Sequence, residues 1–91
     1  MKKFETELPE NYDALKKQAN YTSSWRDRLN AVQALSAYKH EKIIDLLNNR
    51  MKNDTVYKVQ IAAYEALVAF GEKVEKPAPA EAPSTLAVVG R

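Results

Sequence analysis

The chain of 91 residues contains no cysteine, one histidine and two glycines. Without cysteine it can form neither a disulfide nor a thiolate zinc site, and it has no thiol nucleophile. A single histidine cannot build an imidazole metal site, and Gly71 and Gly90 are too few for a glycine-rich phosphate loop. We therefore predict no bound metal, no cofactor and no enzymatic activity.

Long apolar runs are also missing. No stretch approaches the roughly 20 apolar residues that cross a bilayer, and the segment after Lys3 lacks the apolar run of a secretory signal. We expect no membrane contact and a cytoplasmic location, which a cysteine-free chain suits. Residues 10–72 hold nine Lys/Arg against eight Asp/Glu. This near-neutral balance gives no support to strong nucleic-acid binding.

The single histidine, His40, falls in a predicted turn. A catalytic base needs a positioned partner and a cleft, so we interpret His40 as a structural or neutral residue. We interpret Asp27, Asp45 and Asp54 as helix-cap and surface residues rather than as paired catalytic carboxylates.

The chain divides into an N-terminal arm (1–8), a periodic body (9–72) and a Pro/Ala-rich tail (73–91). Three prolines lie close together in the tail. Each removes a backbone donor and turns its predecessor away from helical angles, so we predict an extended, disordered tail without a packed core. Its apolar end, Leu86–Val89, is either unstructured, a docking peptide or the remnant of a longer chain.

The body shows helical periodicity rather than the alternation of a strand. Pro9 suits a first helical position, Ser24 with Asp27 approximates a capping box, and Gly71 suits the residue after a helix. The predicted helices run from 9 to 20, from the cap at 24 to 38, from 41 to 52, and from a cap at 53–55 to 71. Because the loops are short, successive helices should pack antiparallel.

A shift of 32 residues brings two blocks of the body into register. Paired alanines would allow close helix approach, and paired leucines and aromatics would fill the space between layers, because one helix pair alone cannot bury both of its faces. The sequence therefore predicts two copies of one helical unit. The matched positions are Tyr12/Ile44, Leu15/Leu47, Trp25/Tyr57, Ala31/Ala63, Ala34/Ala66, Leu35/Leu67 and Tyr38/Phe70.

The segments Arg28–Leu35 and Val59–Leu67 resemble HEAT-like repeats of the short bacterial, phycobilisome-lyase type. That family shows an aspartate, then Val-Arg, a central alanine and a closing Ala-Leu, often followed by glycine. The aspartate, arginine and central alanine positions are filled here by Asp54, by Arg28, and by Ala31 and Ala63.

Two positions depart from the family pattern, because Gln60 stands where the second arginine would be and Asp27 replaces a valine. The resemblance implies an all-α, short antiparallel stack of four helices, about two repeats of an α–α superhelix. It also implies a protein-binding scaffold, although some relatives bind DNA on their concave face.

A first candidate surface is a ridge of Lys and Asn side chains on the first and third helices. In HEAT-like stacks the second helix of each pair lines the inner surface, and we expect the first and third helices to hold that place. The ridge could bind phosphates or an acidic peptide; an ordinary solvated face is the alternative. The ridge residues are Lys16, Lys17, Asn20, Asn48, Asn49 and Lys52.

A second candidate surface is on the fourth helix, which carries a second apolar stripe beside its core stripe. Neighbouring helices could cover this stripe. Alternatively, the stripe is an exposed end of the stack that binds a protein, because a proline tail rather than another helix follows Gly71. We interpret Trp25 as an interlayer residue rather than a binding hot spot. The stripe residues are Tyr57, Ile61, Tyr64 and Val68.

The sequence thus predicts a non-catalytic binding module for protein interaction or scaffolding. Its partner would be an unidentified protein or a second copy of the chain. DNA binding through the ridge is the alternative.

Overall fold

The computed structural model describes residues 7–79, which form four α-helices and no strand. The predicted all-α stack of four helices is confirmed. Residues 1–6 and 80–91, including the Leu86–Val89 segment, lie outside the described residues. The helices are α1 (Tyr12–Tyr21), α2 (Trp25–Leu35), α3 (Glu41–Asn53) and α4 (Tyr57–Ala69).

Two of the predicted helix ends are confirmed in their details. The Ser24 side chain accepts a hydrogen bond from the Asp27 N–H at 3.4 Å and caps α2. After α4, Gly71 has a φ of 92°, its N–H donates to the Val68 carbonyl, and the Glu72 N–H donates to the Leu67 carbonyl. This pair of bonds is a Schellman motif, which needs the left-handed backbone that glycine adopts without strain.

Helix α3 begins at Glu41, as predicted, and three other helix ends differ from prediction. Helix α1 begins at Tyr12 rather than Pro9, because residues 9–12 form a turn closed by the Tyr12 N–H and the Pro9 carbonyl at 3.0 Å. Helix α2 ends at Leu35, and its tighter last turn is closed by the Tyr38 N–H and the Leu35 carbonyl. The N-cap of α4 is Val56, with no side-chain cap.

The helices form two complete pairs, since α1 packs against α2 and α3 against α4. The pairs stack through α2 and α4, and α1 touches α3 more lightly. Our expectation that the first and third helices are the second helices of their pairs is therefore wrong. The three-residue connections 22–24 and 54–56 fold each helix back on its predecessor, whereas residues 36–40 cross between pairs.

The core confirms the 32-residue repeat at its central positions. Ala31 and Ala63 are both fully buried, as are Leu35 and Leu67. Equal burial at matched positions is what stacked copies of one unit require. The twelve buried apolar residues form one cluster: Ala19, Ala31, Val32, Leu35, Ile43, Leu46, Leu47, Met51, Val59, Ala63, Ala66 and Leu67.

One pair of matched alanines differs in burial because of its place in the stack. Ala66 is 6% exposed, while its equivalent Ala34 lies on the surface. Ala66 borders Ser36 of the first pair, whereas no described helix precedes the first pair to cover Ala34. The two alanines differ because one lies between pairs and the other at the start of the stack.

Candidate protein-interaction face

A buried charge network joins the two helix pairs. The Asp54 carboxylate binds Arg28 through Nε at 2.9 Å and Nη2 at 3.1 Å, and Arg50 through Nη1 at 2.9 Å. It also accepts the Val56 N–H at 2.9 Å, while Arg28 Nη1 donates to the Thr22 carbonyl at 2.9 Å. The network therefore connects α2 and α3 with the loops that precede α2 and α4.

The interpretation of Asp54 as a surface residue is wrong, because its side chain has no exposed area. Two guanidinium groups compensate the cost of burying this charge, and removing either side of such a buried pair typically costs about 3–5 kcal/mol. A carboxylate that is closed to solvent and fully engaged cannot act on a substrate. The Arg28–Asp54–Arg50 network is therefore structural.

The other polar candidates also have structural places. His40 is the N-cap of α3, where its Nδ1 accepts the Lys42 N–H at 3.1 Å. Within residues 7–79, no three His, Cys, Asp or Glu side chains lie together as metal ligands. In the same range, no helix is long and apolar enough to cross a bilayer.

Trp25 lies between the helix pairs, as interpreted from the sequence. Its ring is half-buried at the start of α2 and packs against the core. The Lys58 Nζ from α4 lies 5.6 Å from the ring centroid, and the Arg26 guanidinium lies at 5.4 Å. Both distances are within the range of cation–π attraction, so Trp25 contributes to the contact between α2 and α4.

The stripe on α4 repeats the surface by which α2 contacts α4. On α2, Leu29 and Ser36 border grooves shared with α4, Val32 is fully buried, and Trp25 meets Lys58. One repeat later, Tyr57 and Ile61 border the groove with Leu29 of α2, Tyr64 is half-buried and Val68 is exposed, and no described helix follows α4. We call these four residues the end face: Tyr57, Ile61, Tyr64 and Val68.

The end face is only partly covered. Tyr57, Ile61 and Tyr64 are half-buried, and Ile61 borders the groove with Leu29. Val68 is 48% exposed, which makes it, with Tyr21, one of two exposed large apolar residues in the described range. Neighbouring helices therefore leave part of the stripe open.

The first residues of the predicted tail cover another part of this surface. Residues 73–79, which we call the strap, have no helix or strand structure. The Tyr57 hydroxyl donates to the Pro77 carbonyl at 2.9 Å, and Val74 packs against the core. The strap therefore returns from the end of α4 to its start, and the expectation of a tail without packing does not hold for it.

The strap was not predicted from the sequence, because the spacing of prolines indicates local backbone angles and not packing against residues that are distant in the chain. Two signals were present. Val74 is an apolar side chain at the start of a polar segment, and Tyr57 carries a hydroxyl that needs a partner where it is half-buried.

The ridge residues border different grooves. Lys16 and Asn20 border a groove between α1 and α3, together with Asp45. Asn48 and Lys52 border a different groove, of about 610 Å³, between α3 and the strap. Lys17 and Asn49 are exposed elsewhere on their helices.

The ridge also lies on the first helix of each pair, so the reason for placing it on the inner surface fails with the pairing. Two of its three amides are engaged within α3: Asn48 Nδ2 donates to the Ile44 carbonyl at 3.1 Å, and Asn49 Oδ1 accepts from Asn53 at 2.6 Å. Binding of phosphates by the ridge therefore stays a prediction.

Comparison with known proteins supports the repeat architecture. The family model for HEAT repeats matches residues 12–82, more than three quarters of the chain. No match was found among curated proteins or among solved structures. The two stacked helix pairs and this match agree, and the chain belongs to the HEAT repeat family.

Proposed function

We propose that the protein is a non-catalytic interaction module that binds a helical protein through its end face. The observation that carries this proposal is the equivalence of α2 and α4. The positions of Val32, which is fully buried, and of Ser36, which borders the groove with α4, recur as the half-buried Tyr64 and the exposed Val68. A surface that already packs a helix pair is suited to pack another.

The end face is also more apolar than its counterpart. Tyr64 stands in the place of Val32, and Val68 in the place of Ser36. An exposed valine within a stripe of half-buried aromatic and aliphatic residues is typical of an interface. HEAT repeats commonly serve as protein-binding scaffolds, which supports the same function.

The structure favours this surface over DNA binding by the ridge. The ridge lysines lie on separate grooves, with the Asp45 carboxylate beside Lys16. A duplex binder needs basic side chains that follow one stretch of phosphates. We therefore give the protein-binding function precedence.

Two finer expectations belong to the proposal. The buried Arg28–Asp54 pair joins the two residues that matched the family's arginine and aspartate positions, which supports the phycobilisome-lyase-type subgroup. The absence of cysteine supports a cytoplasmic location.

Capture from a lysate of the source cells tests the proposal. We compare the immobilised full chain with Val68→Glu, which adds a charge to the end face. Tyr21→Glu is the matched control, because Tyr21 is 76% exposed on α1, outside the end face. Proteins retained by the wild type and by Tyr21→Glu should be lost with Val68→Glu.

The circular dichroism of both variants should match that of the wild type, since both positions are on the surface. Identical sets of retained proteins for all three baits would contradict binding through the end face. Loss of binding with both variants would mean that added charge, and not its position, matters.

A further inference from the structure

The stack has a second unmatched surface, at its beginning. Helix α4 contacts α2 through Lys58, beside Trp25, and through Ala66 and Ala69, which border the groove with α2. One repeat earlier, the equivalent positions are two on α2 and one in the turn after it; all three are exposed, and no described helix precedes the first pair. We call them the start face: Arg26, Ala34 and Ala37.

The start face keeps the chemistry of the surface that it repeats. Both alanines are retained, and Arg26 keeps the positive charge of Lys58. Small side chains allow two helices to approach closely, and a cation at this position can lie over an aromatic ring. Lys58 does so over Trp25 at 5.6 Å, and the end face presents Tyr57 at the equivalent place.

We propose that the end face of one molecule binds the start face of a second copy, head to tail. The chain carries both halves of the interface that already joins its two helix pairs, so a second copy would continue the stack in the same geometry. Such a contact is heterologous, because each molecule contributes a different surface. This inference rests on the proposed function of the end face and names its partner.

The strap limits this association because it occupies part of the end face. It is held there by the Tyr57–Pro77 hydrogen bond and by the packing of Val74. A second copy must displace these contacts before it can reach Tyr57. One replacement next to the start face is also unfavourable, because α2 has the polar Asn30 at the position where α4 has Ala62. Association is therefore weaker than the contact between the pairs inside the chain.

Complementation between two single variants tests the proposal. Val68→Glu blocks the end face and leaves the start face intact, whereas Ala34→Glu does the reverse. Light scattering of full chains should show concentration-dependent association for the wild type and monomers for each variant alone. An equimolar mixture of the two variants should give a dimer and nothing larger, because only one pair of intact faces remains.

Weakening the strap should strengthen association. Val74→Ser removes an apolar contact between the strap and the core and changes no residue of either face, so we expect the dissociation constant to fall about fivefold. Glu75→Ser is the matched control, because Glu75 is an exposed residue of the same segment. It should leave the dissociation constant unchanged.

Several outcomes would overturn the proposal. The first is a mixture of the two variants that stays monomeric. The second is association of Ala34→Glu like that of the wild type, which would indicate that two end faces pair with each other. The third is that both the wild type and Val74→Ser stay monomeric up to about 1 mM. If Ala34→Glu changes the circular dichroism, Ala37→Glu replaces it. If Val68→Glu loses the captured proteins and the mixture of the two variants is monomeric, the proposal that the end face binds a protein would stand. Only the proposal that a second copy is its partner would fail.

Discussion

Replacing Asp54 with asparagine tests whether the buried ion pairs hold the two helix pairs together. The substitution keeps the size of the side chain and removes its charge, so Arg28 and Arg50 lose the carboxylate they share. Breaking a buried pair from one side costs about 3–5 kcal/mol. Residues 7–79 should have a total stability of roughly 4–11 kcal/mol, so the loss is a large part of it.

Thermal and urea unfolding measure this loss, followed by circular dichroism and by the fluorescence of Trp25. For a domain of this size each kcal/mol shifts the Tm by about 4–8 °C, so we expect a fall of roughly 12 °C or more. Asp45→Asn is the control, since Asp45 is an exposed carboxylate. Its effect should stay within about 0.5 kcal/mol.

The two arginines should differ in importance. Arg28 makes two bonds to Asp54 and one to the Thr22 carbonyl, whereas Arg50 makes one bond to Asp54. We therefore expect Arg28→Met to cost more than Arg50→Met, and the double variant of Arg28→Met with Asp54→Asn to cost less than the sum. Equal small effects for Asp54→Asn and Asp45→Asn would refute the account of the network.

Other substitutions test the backbone and the packing. Gly71→Ala should lower the free energy of unfolding by about 1 kcal/mol, because Gly71 has a φ of 92°. The cost comes from the backbone alone, since the added Cβ meets nothing within 4 Å. A neutral result in urea unfolding would show that the Schellman motif can re-form without glycine. Ala31→Leu should cost about 1–3 kcal/mol, because Ala31 is fully buried between helices. Ala34→Leu, at an exposed position of the same helix, should have little effect, and equal losses for the two would contradict the assignment of the core.

The core and the repeat could be predicted because they depend on local periodicity. Ala31 and Leu35 recur as Ala63 and Leu67 with the same spacing, and all four are fully buried. The pairing of the helices could not be predicted in the same way. A repeat of 32 residues fits pairs that begin with the first helix or with the second, and only the contacts between helices distinguish them.

Features that depend on distant residues were harder to predict. Asp54 follows a helix, where an exposed cap is the usual interpretation, but its main partner, Arg28, lies 26 residues earlier. The strap was missed for a similar reason, because the Tyr57–Pro77 bond spans 20 residues. The end face itself was predicted from the sequence as a second stripe, since its residues lie on one helix.

The unequal contact between the two helix pairs has a geometric consequence. Because α2 packs closely on α4 while α1 touches α3 only lightly, we expect the two pairs to diverge on the side of α1 and α3. Molecules added in the same orientation would trace an arc and not a straight rod, with their α2 and α4 helices along the shorter radius. The spacing of helices within one small molecule would thus set the curvature of any assembly that it forms.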